Sequence, residues 1–312
     1  MHWEKLGLVF CPNGRLVWAQ HSFMTPVPLQ IDAKRIRVFG GMRDDQGVSR
    51  IGWVDVAAED PTQVLTSCET PALDIGQPGM FDDNGVILGD VIFLPDSRLR
   101  MYYVGFQLGV KHKFFAYTGV AESDDGGSSF VRLYETPIIG RTPHSPFIAA
   151  LHSIEQIAQG DFRAWIAYGQ GWETINGIAY PQYNCWTIKS SDGLYWDSRG
   201  AVKILDPMGD EYRIGRPRAN RCPSGGYELR VTSDTRTKQY ATRRLLSQDG
   251  VHFTPDVVEE LPRGACDEWD GQMTCYPARL DASQGQSYLF YNGNGMGQTG
   301  LGVARWRYGL AP

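Results

Sequence analysis

The sequence predicts an all-β protein, a five-bladed β-propeller whose ring is closed by the N-terminal strand. Three observations support this fold class: short runs of β-forming residues dominate the chain, Ser-x-Asp-Gly turns recur, and polar residues precede apolar strands at a constant spacing. Few windows have an apolar stripe at helical spacing, and we expect one turn of helix at residues 153–159.

The turns give the first measure of the repeat. Asp-Gly pairs begin at Asp125, Asp192 and Asp249, each with a serine two residues earlier and an aromatic residue a few positions later. Asp-Gly supplies the positive φ angles that tight hairpins need. These pairs lie about sixty residues apart, which is room for about four strands in each repeat.

A second, independent spacing agrees with the first. Polar residues stand before an apolar strand at positions that again lie about sixty residues apart: His21, Asp82, Ser145, Glu211 and Asp270. If each begins the inner strand of a blade, all five side chains point into one central funnel.

The two spacings divide one domain, residues 1–312, into blades at 14–74, 75–139, 140–205, 206–262 and 263–312. The last blade has room for three strands, so residues 5–10 are expected to supply its fourth and to cover both open edges. A large β-sandwich, two smaller β domains and a six-bladed ring are the alternatives. The segment "SDDGGSSF" fits the Asp-box turn of sialidase-type propellers, and the other hairpins do not.

Composition excludes several classes of function. The net charge of −5 and the absence of a long basic block make nucleic acid and anionic membranes poor partners. No apolar run has the length of a membrane span, and the N-terminus does not resemble a signal peptide. The six cysteines are scattered without a C-x-x-C pair, which favours free thiols in a cytoplasmic protein. No His or Cys spacing is typical of a metal site, and no cofactor motif is found.

The blade period, the carboxylates before strands and the segment "GMRDDQGVSRIGWVDV" resemble the five-bladed propeller superfamily of arabinanases, levansucrases, invertases and mannoside phosphorylases. The chain is also similar to uncharacterised glycosyl-hydrolase-like proteins of polysaccharide-synthesis clusters, which implies a role in polysaccharide biosynthesis. The superfamily implies three carboxylates, one at the inner strand of each of the first three blades. Asp82 and Asp83 match the second, whereas the first blade offers His21 and the third offers His144 and Ser145.

The predicted catalytic residues follow from this partial match. Asp82 or Asp83 would stabilise positive charge on the sugar, although either aspartate equally suits a turn. Glu211 is the candidate general acid, with an ion pair to a nearby arginine as its structural alternative. His21 or Asp270 would activate water, unless they serve only as hydrogen-bonding partners.

A cluster of arginines predicts the chemistry of the ligand. Arg213, Arg216, Arg218 and Arg221 lie close together in an acidic protein. Arginine forks bind phosphate or carboxylate, and they also form ordinary surface ion pairs. The residues predicted to bind substrate are Arg213, Arg216, His144, Trp269 and Trp172.

Three functions remain open from the sequence. The first is a carbohydrate-active enzyme that performs glycoside hydrolysis or glycosyl transfer at an anomeric carbon. The second is a non-catalytic carbohydrate-binding propeller, favoured by the missing carboxylates. The third, indicated by the arginines, is an enzyme acting on a sugar phosphate or nucleotide sugar. The expected partner in each is a carbohydrate or sugar-nucleotide ligand, and the sequence leaves the oligomeric state open.

Overall fold

The computed structural model of the chain describes residues 2–238, 240–256, 260–283 and 285–307. Within these ranges the secondary structure is almost entirely β, with twenty strands and one four-residue helix. The strands form antiparallel groups of four that follow one another along the chain. The part of the fifth predicted blade at residues 308–312 lies outside the described residues.

The first two groups begin after the N-terminal strand. The first contains β2 (His21–Asp32), β3 (Arg35–Arg43), β4 (Ser49–Ala57) and β5 (Val64–Ser67). The second contains β6 (Val86–Phe93), β7 (Leu99–Leu108), β8 (Phe114–Ser123) and β9 (Val131–Arg132).

The next two groups repeat this order. The third contains β10 (Ile148–Ala158), β11 (Asp161–Ile175), β12 (Ile178–Ser190) and β13 (Val202–Leu205). The fourth contains β14 (Glu211–Arg221), β15 (Tyr227–Thr235), β16 (Tyr240–Ser247) and β17 (Thr254–Pro255). A short parallel pairing of β8 with β10 joins the second and third groups into one sheet.

The last group combines the two ends of the chain. It contains β18 (Cys275–Asp281), β19 (Ser287–Asn292), β20 (Leu301–Arg307) and, paired antiparallel to β20, β1 (His2–Phe10). The short helix α1 (Asn294–Gly297) connects β19 to β20. Asn292 is fully buried; its side chain accepts a hydrogen bond from the backbone N–H of Thr25 at 2.7 Å and donates to the carbonyl of Phe23. These bonds attach the last group to β2.

The first strands of groups one to four and β18 pack against one another. β2 contacts β6 and β18, β10 contacts β6 and β14, and β14 contacts β18. Apolar side chains fill the space between neighbouring groups, for example Phe39, Leu88 and Tyr102 in one cluster and Phe23, Val54 and Phe290 in another. The strands that begin each group therefore face a common centre.

The Ser-x-Asp-Gly turns also connect neighbouring groups. Gly126, Gly193 and Gly250 have φ angles of 73°, 72° and 73°, the positive values that the sequence predicts. Their carbonyl oxygens accept hydrogen bonds from side chains of the preceding group, donated by Arg37, Tyr102 and Trp165 respectively. The motif therefore shapes the hairpin and fixes its contact with the preceding sheet.

One sequence prediction of local structure is wrong. Residues 153–159, expected to form a turn of helix, are strand up to Ala158, where β10 ends. The segment pairs with β11, with Glu155 opposite Arg163 and Gln156 opposite Phe162. Tertiary pairing therefore overrides a weak local preference for helix.

All six cysteines are free, as the sequence predicts. Cys68, Cys185 and Cys275 are buried, whereas Cys266 is exposed. Among the described residues, no helix has the length and apolar character needed to cross a lipid bilayer.

Candidate functional site

The five strands at the centre each contain an irregularity at a similar depth. The pairing register shifts between Met24 and Val27, Leu88 and Asp90, Leu151 and Ser153, Gly215 and Arg218, and Cys275 and Ala278. A β-bulge redirects a side chain and is common beside functional sites. The residues within these bulges line one small central cavity of about 20 Å³: Thr25, Gly89, His152, Arg216 and Tyr276.

Three of the bulge residues have an unusual backbone. Thr25, Arg216 and Tyr276 have φ angles of 56°, 55° and 54°, and each precedes a proline. This region is uncommon for any residue except glycine and is a clear outlier for a β-branched threonine. Such strain is found most often at binding and catalytic sites. The backbone strain therefore makes the centre of the molecule a candidate functional site.

A larger pocket of about 390 Å³ adjoins the small cavity and shares Thr25, Arg216 and Tyr276 with it. Four cationic side chains line this central pocket: Arg43, Lys113, Arg213 and Arg216. Its apolar lining includes Met24, Ile87, Phe106, Leu108, Phe114 and Pro181. None of the described residues that line it is an aspartate or a glutamate.

The charge of Arg213 is compensated within the protein. Its Nη2 donates to Oδ2 of Asp234 at 2.7 Å and to the hydroxyl of Tyr240 at 2.6 Å. Arg213 is buried, and four tyrosine rings lie within 6 Å of its guanidinium carbon. Arg213 is thus held rigidly at the pocket wall.

Arg216 has no such partner. Its Nη1 donates to the carbonyl of Leu88 at 2.7 Å and contacts Nδ1 of His152 at 3.2 Å. Among the described residues, no carboxylate lies within 4 Å of its nitrogens. Desolvation lowers the pKa of Arg216 to about 10, so the side chain remains cationic at neutral pH.

Arg43 resembles Arg216 in this respect. It is partly buried at the end of β3, and desolvation lowers its pKa from the ordinary arginine value. Within the described ranges no acidic side chain forms an ion pair with it. Of the four cationic groups in the central pocket, only Arg213 has an ion-pair partner among the described residues, and Arg43 and Arg216 are the two desolvated groups without one.

His152 supports the position of Arg216. Burial, followed by the charges of Arg216 and Arg218, lowers the pKa of His152 well below its usual value. The imidazole is therefore neutral at pH 7, and Nδ1 accepts the hydrogen bond from Arg216. This assigns the remaining ring proton to Nε2.

The predicted aspartates have structural contacts. Asp82 is fully buried in a turn before β6, and its Oδ2 accepts hydrogen bonds from Nε of Arg132 at 2.8 Å and from the hydroxyl of Tyr103 at 3.1 Å. Asp83 accepts a hydrogen bond from the backbone N–H of Gly79 at 2.9 Å. Neither side chain lines the central pocket, although Asn84, the next residue, does.

The other predicted catalytic groups also have partners. Asp270 is buried and accepts hydrogen bonds from Nζ of Lys5 at 2.6 Å and the hydroxyl of Tyr291 at 2.9 Å. Glu211 forms an ion pair with Arg243 at 3.0 Å, rather than with Arg213 or Arg216. His21 contacts the hydroxyl of Ser22 through Nδ1 at 2.7 Å. None of the three lines the central pocket.

The predicted substrate-binding residues divide into two sets. Arg213 and Arg216 line the central pocket together. Trp172 lies one layer behind it, with its ring 5.3 Å from that of Phe114. His144 packs on Trp186 at 4.8 Å and Trp269 on Tyr291 at 5.2 Å, and neither ring lines the pocket.

Sequence reasoning missed Thr25, Arg43 and His152. A signal for Thr25 is present, because Thr25-Pro26, Arg216-Pro217 and Tyr276-Pro277 each place a proline inside an apolar strand. Proline within a sheet is confined largely to edges and bulges. The predicted spacing of about sixty residues holds for the bulges too, but the residues at the centre stand a few positions after those that the sequence indicated.

Within the described part of the chain, no three His, Cys, Asp or Glu side chains come together in a way that could hold a metal ion.

Comparison with known proteins gives one close pair of relatives. The chain is 32% identical over 309 residues to the Mycobacterium tuberculosis protein Rv1502 of strain H37Rv, covering 97% of this chain and 99% of that protein. The protein MT1551 of strain CDC 1551 matches equally well. Both are described as uncharacterised. None of the profiles that describe known protein families matches the chain.

Solved structures with a similar fold include glycoside hydrolases. A glycosyl hydrolase from Bacteroides ovatus has a TM-score of 0.67 at 16% identity, covering 97% of this chain and 93% of its own. A thermostable family-43 glycoside hydrolase has a TM-score of 0.69 at 12% identity, with coverage of 95% and 93%. A structure from the GH130 family of mannoside phosphorylases has a TM-score of 0.69 at 15% identity, with coverage of 97% and 93%. These similarities show that the chain has the fold of the glycoside-hydrolase propellers.

Proposed function

Because the chain belongs to the family of the Mycobacterium tuberculosis protein Rv1502 and has a glycoside-hydrolase-like propeller fold, we propose that its central pocket binds a carbohydrate bearing an anionic group. A sugar phosphate or a nucleotide sugar has this chemistry. The carbohydrate component is supported by the fold of the neighbours, which are named as glycoside hydrolases and mannoside phosphorylases.

The observation that carries the proposal is the pair of uncompensated arginines. Arg43 and Arg216 line the pocket, are partly removed from water and have no carboxylate partner among the described residues. A desolvated charge without a counter-ion is costly, and a bound anion removes that cost. Arg213, held by Asp234, provides a third cationic group at a fixed position.

Unsatisfied polar atoms around the pocket support a ligand there. Oγ1 of Thr25, Oγ of Ser49, Nε of Arg43 and Nε of Arg213 are buried and have no hydrogen-bond partner among the described residues. Native proteins leave few such atoms without a partner, and a bound ligand or an ordered water is a common explanation.

We propose a five-bladed propeller as the frame of this site. The four complete groups and the group formed by β18, β19, β20 and β1 would be the blades of one domain, with β1 closing the ring. The cyclic contacts of β2, β6, β10, β14 and β18 support this arrangement. The bulge residues then surround the propeller axis.

Titration with small ligands tests the proposed function. We expect inorganic phosphate and glucose 1-phosphate to bind and to raise the thermal unfolding midpoint, because each supplies the missing counter-charge. A ligand at one hundred times its Kd stabilises the folded state by about 2.7 kcal/mol. Glucose at the same concentration serves as the uncharged control in calorimetry and thermal unfolding. Equal binding of glucose and glucose 1-phosphate would show that the arginines do not recognise an anion.

Glycoside hydrolysis or glycosyl transfer is the second candidate function, and one observation favours it. Asp83 is partly exposed and adjoins Asn84 in the pocket lining, so it is the predicted carboxylate nearest in sequence to the pocket. Asp82, Glu211, His21 and Asp270 would need new conformations to reach a substrate, because each is engaged elsewhere. A third candidate is a non-catalytic protein of polysaccharide biosynthesis. Binding of sugars without release of any product would favour it, as does the lack of a carboxylate among the described residues that line the pocket.

The second candidate predicts a large effect of Asp83→Asn. Loss of a general acid or base lowers turnover by about 10²–10⁴-fold, so release of sugar from a cleaved substrate should fall by that factor. Asp96→Asn, at an exposed carboxylate paired with Arg98, is the matched control and should leave turnover unchanged. Full turnover in Asp83→Asn would remove this residue from the mechanism.

A further inference from the structure

The central pocket has two walls of different chemistry. Arg213 and Arg216 belong to β14 and Arg43 ends β3, whereas Ile87, Phe106, Leu108 and Phe114 come from β6, β7 and β8. Pro181, on the long hairpin formed by β11 and β12, extends the apolar wall. Sugar hydroxyls need hydrogen-bond partners, which this wall does not supply. It is therefore suited to an apolar part of the ligand.

The apolar wall continues to the protein surface. Leu108 is 61% exposed although it lines the pocket, and Val110, in the following turn, is fully exposed. On the opposite hairpin, Ile178 is 53% exposed and stands next to Ala179, which also lines the pocket. Exposed apolar side chains that continue a pocket wall mark a binding surface more often than scattered ones do.

Leu108, Val110 and Ile178 form an apolar rim around the pocket, and basic residues lie close to it in the sequence. Lys113 lines the pocket and is exposed, and Lys111 lies in the same turn. The pocket therefore has a cationic side chain at its base, Arg216, and another at its rim, Lys113. A chain attached to an anionic group at the base would leave along Leu108 and Ile178.

We propose that the ligand is a sugar joined through a phosphate to an aliphatic chain. The phosphate lies between Arg43 and Arg216, and the chain lies along the apolar wall to the rim. This inference rests on the proposed function, because it uses the same anion site.

The aromatic side chains favour an aliphatic group over a nucleotide base. Phe114 is packed edge-to-face against Phe106 at 5.1 Å and against Trp172 at 5.3 Å. A base needs a free aromatic face on which to stack. Tyr180 and Tyr276 also line the pocket, but cations cover their rings: Nζ of Lys238 lies 4.0 Å from the ring centre of Tyr180, and the guanidinium carbon of Arg216 lies 5.2 Å from that of Tyr276. The other apolar positions of the wall and rim include the aliphatic residues Ile87, Leu108, Val110, Ile178 and Pro181.

Calorimetry with three phosphates tests the inference on the full-length protein. Methyl phosphate measures the anion site alone, n-hexyl phosphate adds an aliphatic chain, and uridine monophosphate adds a base and a sugar. We expect hexyl phosphate to bind at least about ten-fold more tightly than methyl phosphate, since each buried methylene contributes favourably. If hexyl phosphate binds no more tightly than methyl phosphate, the inference of an aliphatic chain is wrong, but the proposed anion site is unaffected.

The variant Leu108→Ser/Ile178→Ser tests whether the rim causes the tighter binding of hexyl phosphate. Its ratio of hexyl to methyl phosphate affinity should fall toward one, whereas Leu246→Ser, at an exposed leucine in another pocket, should keep the wild-type ratio. Uridine monophosphate binding as tightly as hexyl phosphate would indicate a base instead of an aliphatic chain. Failure of all three phosphates to bind would overturn the proposed function as well.

Discussion

Replacing Arg216 with methionine is expected to reduce phosphate affinity by roughly 10- to 150-fold without destabilising the unliganded protein. A hydrogen bond to a charged group contributes about 1.5–3 kcal/mol, which corresponds to that loss of affinity. In the free protein, the side chain bonds only to a carbonyl and to neutral His152 among the described residues. Methionine has a similar length and no charge to desolvate, so the free energy of unfolding should stay constant or increase.

Two further variants make this result specific. Arg216→Lys keeps the charge but loses the planar fork, so it should bind phosphate with intermediate affinity. Arg163→Met removes another partly buried arginine that bonds to a backbone carbonyl, that of Asp249, and that lies outside the pocket. Calorimetry should show unchanged phosphate binding in that control. A stability loss in Arg216→Met together with wild-type affinity would mean that Arg216 is structural.

Replacing Arg230 with methionine is expected to have the opposite effect, a destabilisation of about 3–5 kcal/mol. Arg230 is 1% exposed and donates to Glu228 at 2.8 Å and to both carboxylate oxygens of Glu260 at 2.7 and 2.8 Å. Glu260 also accepts a hydrogen bond from Nε1 of Trp3 in β1. Without the arginine, a buried carboxylate pair that connects β15 to the N-terminal strand loses its central cation.

Urea unfolding measures this effect. The midpoint of Arg230→Met should fall well below that of the wild type, whereas Arg98→Met should change stability by less than about 1 kcal/mol. Arg98 forms ion pairs with Asp96 and Glu122, but 45% of its side chain is exposed, and water screens such pairs. Similar midpoints for the two variants would contradict the role assigned to the buried network.

Arg216 and Arg230 show why sequence alone does not separate an arginine without a counter-charge from one in a buried ion-pair network. Both stand in strands with alternating apolar residues, and both have acidic residues nearby in the sequence. Glu228 and Glu260 converge on Arg230 only when the sheets pack together. Asp210 and Glu211, close to Arg216 in sequence, have their partners elsewhere. Tertiary structure therefore decides that Arg230 has carboxylate partners and that Arg216 has none among the described residues.

The residues that line the centre stand a few positions after the predicted ones, and the reason is again the tertiary structure. His21, Asp82 and Glu211 were expected to point into the centre because they precede inner strands. The strands instead contain bulges a few residues later, and the bulge redirects Thr25, His152 and Arg216 to the central cavity. A single extra residue reverses the face of every side chain that follows, so a spacing rule without bulges cannot predict the lining.

The sequence by itself determined the all-β class, the repeat of about sixty residues and the Ser-x-Asp-Gly turns. These properties follow from local chemistry: the strand preference of branched and aromatic residues and the φ angles that Asp-Gly allows. Tertiary structure alone decided that Asp82 and Asp270 are buried in hydrogen-bonded pairs and that Arg43 joins Arg216 without a counter-charge. Whether a charge is neutralised depends on groups brought together from distant parts of the chain, and only the packing of the sheets sets those distances.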